Sequence, residues 1–303
     1  MNQTFKAILR KVLPDTFLYR LLTAYTRLKT GKAREIFEQS PQTPAWMGWD
    51  LQELLQQKYP FPPMARYDPL SLEQRGEKRA RELLRLAGRR KGRMRTFLDL
   101  GCWDGMVCAA LQRMGKTATG VDIRPDAFDK RAIDAGAVLV QMDATDLRFE
   151  NESFDFVFSY GSFEHFAEPE RVLREAIRVV KKGGRIYLDF GALYMSPQGL
   201  HAYKSVTVPY RQFLFPGELL EAFAAAKGLP PIDFDTLNKW SLEDYRRLWS
   251  RCSDRLRKLR YYEIPDLAHI DLIMKYPSCF ASKTRCFDNL IVTSVKVLFE
   301  KTG

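Results

Sequence analysis

Long apolar runs are missing from this 303-residue chain. None approaches the roughly 18 residues that a membrane-crossing helix requires, and the first residues carry no continuous apolar core followed by a small-residue cleavage site. The expectation is a cytoplasmic protein, soluble or held peripherally at the inner face of the membrane. Cysteine is sparse as well. The five cysteines form no Cys-x-x-Cys pair and no Cys/His cluster, so neither a zinc site nor a disulfide framework is indicated, and no metal is expected. Acid is scarce at the amino end: residues 1–34 hold eight Lys and Arg against Asp15 alone, most of the chain's net charge of +11. Within that stretch Phe5, Ile8, Leu9, Val12 and Leu13, then Phe17, Leu18, Leu21, Leu22, Tyr25 and Leu28, recur at helical spacing around a break at Pro14. Two basic amphipathic helices are predicted. Either they lie on an anionic membrane surface, or their apolar stripe packs on the rest of the chain or a second subunit while the basic face is solvated.

What the chain does have is a sharp break at Thr96-Phe-Leu-Asp-Leu-Gly-Cys-Trp-Asp-Gly105, where an apolar run enters a glycine-bearing turn and then a helical pattern over Cys102–Met114. Strand, tight loop and helix bring backbone N–H groups and a positive helix end to a ligand. Thr117–Asp122 reads as a second strand ending in an acid 21 residues beyond Gly101, about the spacing at which a doubly wound fold sets a carboxylate on a ribose diol. The alternation continues with a helix over Pro125–Ala135, a strand over Ala137–Met142, a strand over Phe154–Tyr160, a helix over Glu168–Val180 and a strand over Gly184–Phe190. Such alternation predicts an α/β fold with a mostly parallel, doubly wound, Rossmann-like sheet.

In these motifs the chain resembles the class I S-adenosylmethionine-dependent methyltransferases, over roughly residues 95–195. Leu98–Gly105 is similar to their first motif, Gly120-Val-Asp122 to the acid after the second strand, and Gln141-Met-Asp-Ala144 to the adenine-side acid. Ser159-Tyr-Gly-Ser-Phe-Glu-His165 resembles the end of their fourth strand, and Val179–Arg185 the turn into the fifth. Trp103 stands where the family often has glycine. The resemblance implies S-adenosylmethionine as cofactor. Asp99, Gly101, Trp103 and Gly105 would surround its amino-acid end, Asp122 the ribose and Asp143 the adenine amino group, with Ile123 and Ala144 covering the ring and Tyr160 nearby. It also implies a closing antiparallel strand. Bland alternatives stay open: Asp122 and Asp143 as helix or turn caps, and Trp103 as packing.

Acceptor recognition is expected after the fifth strand, because the ligand crevice of such sheets lies at the carboxyl ends of the strands. His201 in the loop Gly191–Tyr203 is the preferred general base, since neutral imidazole accepts a hydroxyl proton near pH 7, with a simple hydrogen bond within an ordered loop as the open alternative. Tyr194 and Tyr203 are candidates to bind the acceptor. His165 is a second candidate, and for it and Glu164 a structural role is equally open. The residues divide into a helical extension and connector (1–70), its later part (40–70) irregular, and a catalytic domain (71–303) entered by a helix over Leu72–Leu86, with an acceptor-side insertion at about 191–255. Further helices are predicted at Pro216–Lys227 and Ser241–Ser253, the latter a cap, and strands at Arg255–Glu263 and Val292–Glu300. The basic run Arg246–Arg260 suits a phosphate-bearing acceptor or an anionic surface, or is merely solvated. The preferred function is O-methylation of a small-molecule or glycan/lipid-linked hydroxyl. Behind it stand an RNA methyltransferase, for which no appended RNA-binding module or Asn-Pro-Pro-Tyr-like motif is visible, and a non-catalytic protein keeping the fold. Gly101-x-x-x-Gly105 does not give the dinucleotide fingerprint of an oxidoreductase.

Overall fold

The strands at the centre of the chain's sheet, Thr96–Leu100 and Phe154–Tyr160, are short, mostly apolar and almost wholly buried, as a sheet covered on both faces demands. A computed structural model of the protein describes residues 15–61, 67–90 and 92–303. Its sheet has seven strands: β1 (Thr96–Leu100), β2 (Thr117–Asp122), β3 (Val138–Gln141), β4 (Phe154–Tyr160), β5 (Val180–Gly191), β6 (Leu256–Pro265) and β7 (Val292–Lys301). Their order is β3-β2-β1-β4-β5-β7-β6. The first five pair in parallel, and β7 runs antiparallel between β5 and β6. The chain steps outward from β1 to β3 and then returns to β4, so the crevice opens above the carboxyl ends of β1 and β4. The expected doubly wound sheet with its antiparallel closure is what forms.

Helices cover the two faces. The helices before the sheet are α1 (Asp15–Glu38), α2 (Trp49–Lys58) and α3 (Pro69–Leu86). Within the sheet region come α4 (Met106–Arg113), α5 (Lys130–Asp134) and α6 (Pro169–Val179), and after β5 come α7 (Arg211–Leu214), α8 (Gly217–Ala226) and α9 (Leu242–Arg251). α3 starts where the sequence directs it: the Asp68 carboxylate accepts the Ser71 N–H at 3.0 Å, and Pro69 takes the first helical position. Its buried face, Leu72, Gly76, Ala80, Leu83 and Leu86, packs on α4 beside β1 and β4. On the other face Ala33 and Phe37 of α1 and Leu55 of α2 join the core with α6, β5 and the chain after it. Each such aliphatic or aromatic side chain contributes about 1.5–3 kcal/mol by leaving water.

Four expectations need correction. The irregular connector at 40–70 contains α2, which buries Gln52 and Leu55; its residues 62–66 lie outside the described ones, as does the first predicted helix over residues 5–13. The helix predicted over Pro125–Ala135 is interrupted, because the Asp129 side chain accepts the Arg131 N–H at 2.9 Å and caps a separate helix, α5. β5 begins at Val180 rather than Gly184, since Val180 already pairs with Phe154. Three short helices were not foreseen between β6 and β7: α10 (Ile270–Lys275), α11 (Pro277–Ala281) and α12 (Phe287–Ile291). At five or six residues each, they are too short to show a period. Among the described residues, no helix is long and apolar enough to cross a membrane.

Candidate active site

The turn after β1 is built by residues that tolerate left-handed backbone. Gly101 (φ +75°) and Gly105 (φ +72°) take it freely, and a Cβ on either would lie 2.5 Å from Ser162 Cβ or Leu139 Cδ1. The Gly101 and Cys102 N–H groups donate to the Val121 carbonyl at 2.9 and 3.0 Å, tying the turn to β2. Trp103 also sits at positive φ (+46°), so it keeps the backbone shape glycine would choose, at a cost of about 1–2 kcal/mol. Its N–H donates to Asp122 Oδ2 at 2.9 Å. Its ring is 37 % exposed, meets Tyr67 edge-on and lies under the Arg75 guanidinium, which in turn pairs with Asp104 at 2.5 Å. Asp99 is buried below the turn, and burial pushes its carboxyl well up, with the Arg79 charge opposing.

Asp122 is anchored but not saturated. Oδ2 accepts Trp103 N–H, Oδ1 accepts Arg124 N–H at 3.0 Å, and a carboxylate has further lone pairs on each oxygen. Ile123 beside it is 65 % exposed, an apolar cover open to solvent. Asp143 is exposed after β3, with one oxygen accepting Thr145 N–H at 2.8 Å, while Ala144 is buried. Tyr160, expected at the cofactor, turns its side chain to α3 instead. Its hydroxyl bonds the Arg79 carbonyl at 3.3 Å and Glu82 at 3.2 Å, and its ring packs against Phe158 and Tyr187. Its side chain therefore packs between α3 and the sheet.

Arg79 is the residue sequence reasoning missed. Its guanidinium lies 4.7 Å from the Tyr160 ring centroid, half-buried, without an ion pair among the described residues, and its charge reaches Asp99, Glu164 and Asp189. No motif flags it, because on an amphipathic helix such as α3 it reads as one more solvated arginine.

Beyond the carboxyl ends of β4 and β5 the structure brings the two histidines together. The His165 and His201 rings are 5.2 Å apart, and Tyr203 stands 5.4 Å beyond His201. His201 Nε2 lies 3.1 Å from the Ala192 carbonyl and His165 Nδ1 2.5 Å from that of Thr236. A carbonyl only accepts, so these nitrogens donate, leaving His201 Nδ1 and His165 Nε2 as the lone-pair atoms. Burial pushes His201 down to about 4, helped by the neighbouring His165, and burial lowers His165 too. Both are neutral at pH 7, and His201 is a much weaker base than its ordinary value suggests. Beside them Glu164 is 2 % exposed. Its Oε1 accepts Gly191 N–H at 2.9 Å, Oε2 has no partner among the described residues, and burial raises the carboxyl to about 7. Tyr194 is half-buried, its ring 6.0 Å from Lys239 Nζ, and burial raises both Tyr194 and Tyr203.

Part of the basic run is held in ion pairs. Arg246 holds Glu263 through Nε and Nη2 (2.7 and 2.6 Å), Arg251 reaches Glu170, and Arg257 pairs with Glu300. Glu300 is in register with Arg185 near the start of β5, at the end of the sheet away from the crevice. These pairings engage Arg246, Arg251 and Arg257 of the run. Among the described residues no cluster of three or more His, Cys, Asp or Glu is placed to hold a metal.

Residues 98–188, from β1 to β5, match the family model of a methyltransferase domain. A ubiquinone biosynthesis O-methyltransferase of Xanthomonas oryzae pv. oryzae is 28% identical over 134 residues, covering 37% of this chain and 56% of the relative. A 27-O-demethylrifamycin SV methyltransferase of Amycolatopsis mediterranei is 27% identical over 180 residues, covering 54% and 63%. The chain thus spans little more than half the length of the curated relatives it matches first. A geranyl diphosphate methyltransferase solved in complex with S-adenosylmethionine aligns over 75% of this chain and 85% of that one, at 18% identity and a TM-score of 0.46.

Proposed function

We infer that this protein, whose residues 98–188 form a methyltransferase domain of the class I S-adenosylmethionine-dependent superfamily, methylates an oxygen of a small-molecule or glycan/lipid-linked acceptor. The observation that carries the reading is the convergence, above β1 and β4, of the Asp99–Gly105 turn, the Asp122 carboxylate hydrogen-bonded to that turn, and a half-buried polar wall on the far side of β4. The residues present fit the cofactor. The glycines leave room for backbone approach, Asp122 keeps acceptor capacity for a diol, and Ile123 offers an apolar cover. Arg79 supplies an unpaired cation for the carboxylate of the amino-acid end. When bound, the cofactor supplies an electrophilic methyl on a sulfonium, so the chain has mainly to align donor and acceptor about 3 Å apart and receive one proton.

Two groups suit that proton. His201 Nδ1 is the expected one, but its low basicity limits it to orienting the acceptor hydroxyl or accepting its proton only transiently. Glu164 Oε2, in a carboxyl whose pKa lies at about 7, matches the operating pH better and is the stronger base of the two. The relatives' names, a ubiquinone biosynthesis O-methyltransferase and a 27-O-demethylrifamycin SV methyltransferase, favour an oxygen on a small molecule, and RNA ranks behind because the end of β4, Ser159-Tyr-Gly-Ser162, lacks an Asn-Pro-Pro-Tyr-like motif. Isothermal titration with S-adenosylmethionine, followed by transfer of labelled methyl to lipid, glycan and RNA fractions of an extract, tests the reading. Folded protein that does not bind the cofactor, or label found in RNA alone, defeats it.

A further inference from the structure

We propose that the Nε/Nη2 edge of the Arg211 guanidinium binds a carboxylate carried by the methyl acceptor. Calling that ligand the acceptor rests on the methyl-transfer reading; the carboxylate site itself does not. Arg211 opens α7, where Tyr210 at φ +59° turns the chain and fixes it through its N–H on Pro197 O and its hydroxyl on Leu290 O, each at 2.8 Å. The whole residue is 0 % exposed. Burying a guanidinium costs several kcal/mol unless charge and hydrogen bonds compensate. Here they do not. Nη1 makes two long bonds to neutral oxygens, Val208 O at 3.2 Å and Gln198 Oε1 at 3.3 Å, and Nε and Nη2 have no partner among the described residues. No carboxylate of those residues acts on its charge, and burial brings the group down to about 10, which still leaves it cationic at pH 7.

The shape of what is unmet names the ligand. Nε–H and Nη2–H point in parallel from one edge of the fork, the geometry that takes both oxygens of a carboxylate. Elsewhere in this molecule the same two donors do so: Arg246 holds Glu263 through them. Position ties the site to the crevice, because the Arg211 charge is felt by His201 and by Tyr203, both half-buried at the acceptor side. Glu164 acts on Tyr203 with the opposite sign. Gln198, half-buried, occupies Nη1 with its side chain and leaves the Nε/Nη2 edge to the ligand. An acceptor with a hydroxyl near His201 and Glu164 and a carboxylate beyond Tyr203 satisfies both ends.

Thermal denaturation of the full-length chain tests this, with benzoate as the carboxylate probe, benzamide as its neutral isostere and inorganic phosphate as the other oxyanion. Benzoate is expected to raise Tm by about 2–4 °C, as a ligand adding roughly 1 kcal/mol to a domain of this size does. Benzamide and phosphate should leave Tm in place. The benzoate shift should vanish in Arg211→Met and fall to less than half in Arg211→Lys, whose point charge cannot grip two oxygens in parallel. Equal shifts from benzoate and benzamide, or a benzoate shift that survives Arg211→Met, overturn the site; protection by phosphate alone overturns its assignment to a carboxylate. Should Arg211→Met fail to fold, the wild-type ranking and Arg211→Lys decide. A parallel titration with S-adenosylmethionine separates the two readings: benzoate protection without cofactor binding sinks methyl transfer and leaves the carboxylate site standing.

Discussion

At the scale of single residues, Glu164 and His201 carry opposite pH signatures within one site. Glu164 has its folded pKa raised to about 7 against an ordinary 4.5, so burial of the neutral acid stabilises the fold below pH 4.5, and that contribution is lost as pH rises through 7. Glu164→Gln, which keeps a carbonyl oxygen for Gly191 N–H, should therefore gain stability relative to the wild type between pH 5 and pH 8, by on the order of 3 kcal/mol. His201 is depressed to about 4, so its contribution is complete above pH 6.5 and is lost as pH falls towards 4. Denaturant midpoints of wild type, Glu164→Gln and His201→Asn across pH 4–8 check both signs; parallel curves would remove the buried-acid picture. For the cofactor, Asp122→Ala should weaken S-adenosylmethionine binding by about 1–3 kcal/mol, and unchanged affinity in calorimetry would exclude the ribose role. Asp122 and the glycines were legible because their spacing follows from the strand–turn–helix geometry. Arg79, Glu164 Oε2 and Arg211 were not, since what distinguishes each is the partner it lacks, and only packing decides that.

Among the elements, α3 shows how a helix outside every motif sets the site. Gly76 lets it approach α4 so closely that a Cβ there would lie 2.4 Å from the Met106 carbonyl. Gly76→Val should cost about 1–3 kcal/mol by overpacking, and because Met106 follows the Asp99–Gly105 turn directly, cofactor affinity should fall with it. A melting curve and a titration on the same sample check the coupling; lost stability with full affinity would uncouple α3 from the turn. Elements with a long period or a firm cap were legible: β4 lies where the sequence places it, and α3 and α9 begin within three residues of it. The interruption at Asp129 was not, because a side chain capping its own neighbourhood competes with helix continuation in a way apolar spacing does not register. The three helices between β6 and β7 fell below the length at which a period can be seen.

For the molecule as a whole, the part of α1 beyond the predicted apolar stripe is what packs on the core. Ala33 and Phe37 of α1 are buried in the main core, while Leu21 and Leu28 on the same helix are exposed. Phe37→Ala should cost about 3–5 kcal/mol in denaturant unfolding, a loss that a helix merely resting on a membrane would not show. Flotation with anionic and with neutral liposomes, comparing wild type with Leu21→Ser/Leu28→Ser, examines the outer face separately; equal flotation of both proteins would argue against membrane contact there. The mostly parallel sheet was readable because strands alternating with helices of this length leave few other arrangements, whereas the order of its strands was not read from the sequence.

The tryptophan in the glycine-bearing turn makes the protein its own optical reporter. Its backbone N–H is bonded to the carboxylate proposed for the ribose, and its side chain stands part-exposed beside a guanidinium. Filling the crevice changes the polarity around that ring, so ligand occupancy can be followed by intrinsic emission, without label or coupled assay, as the difference between wild type and Trp103→Phe against the four other tryptophans of the chain.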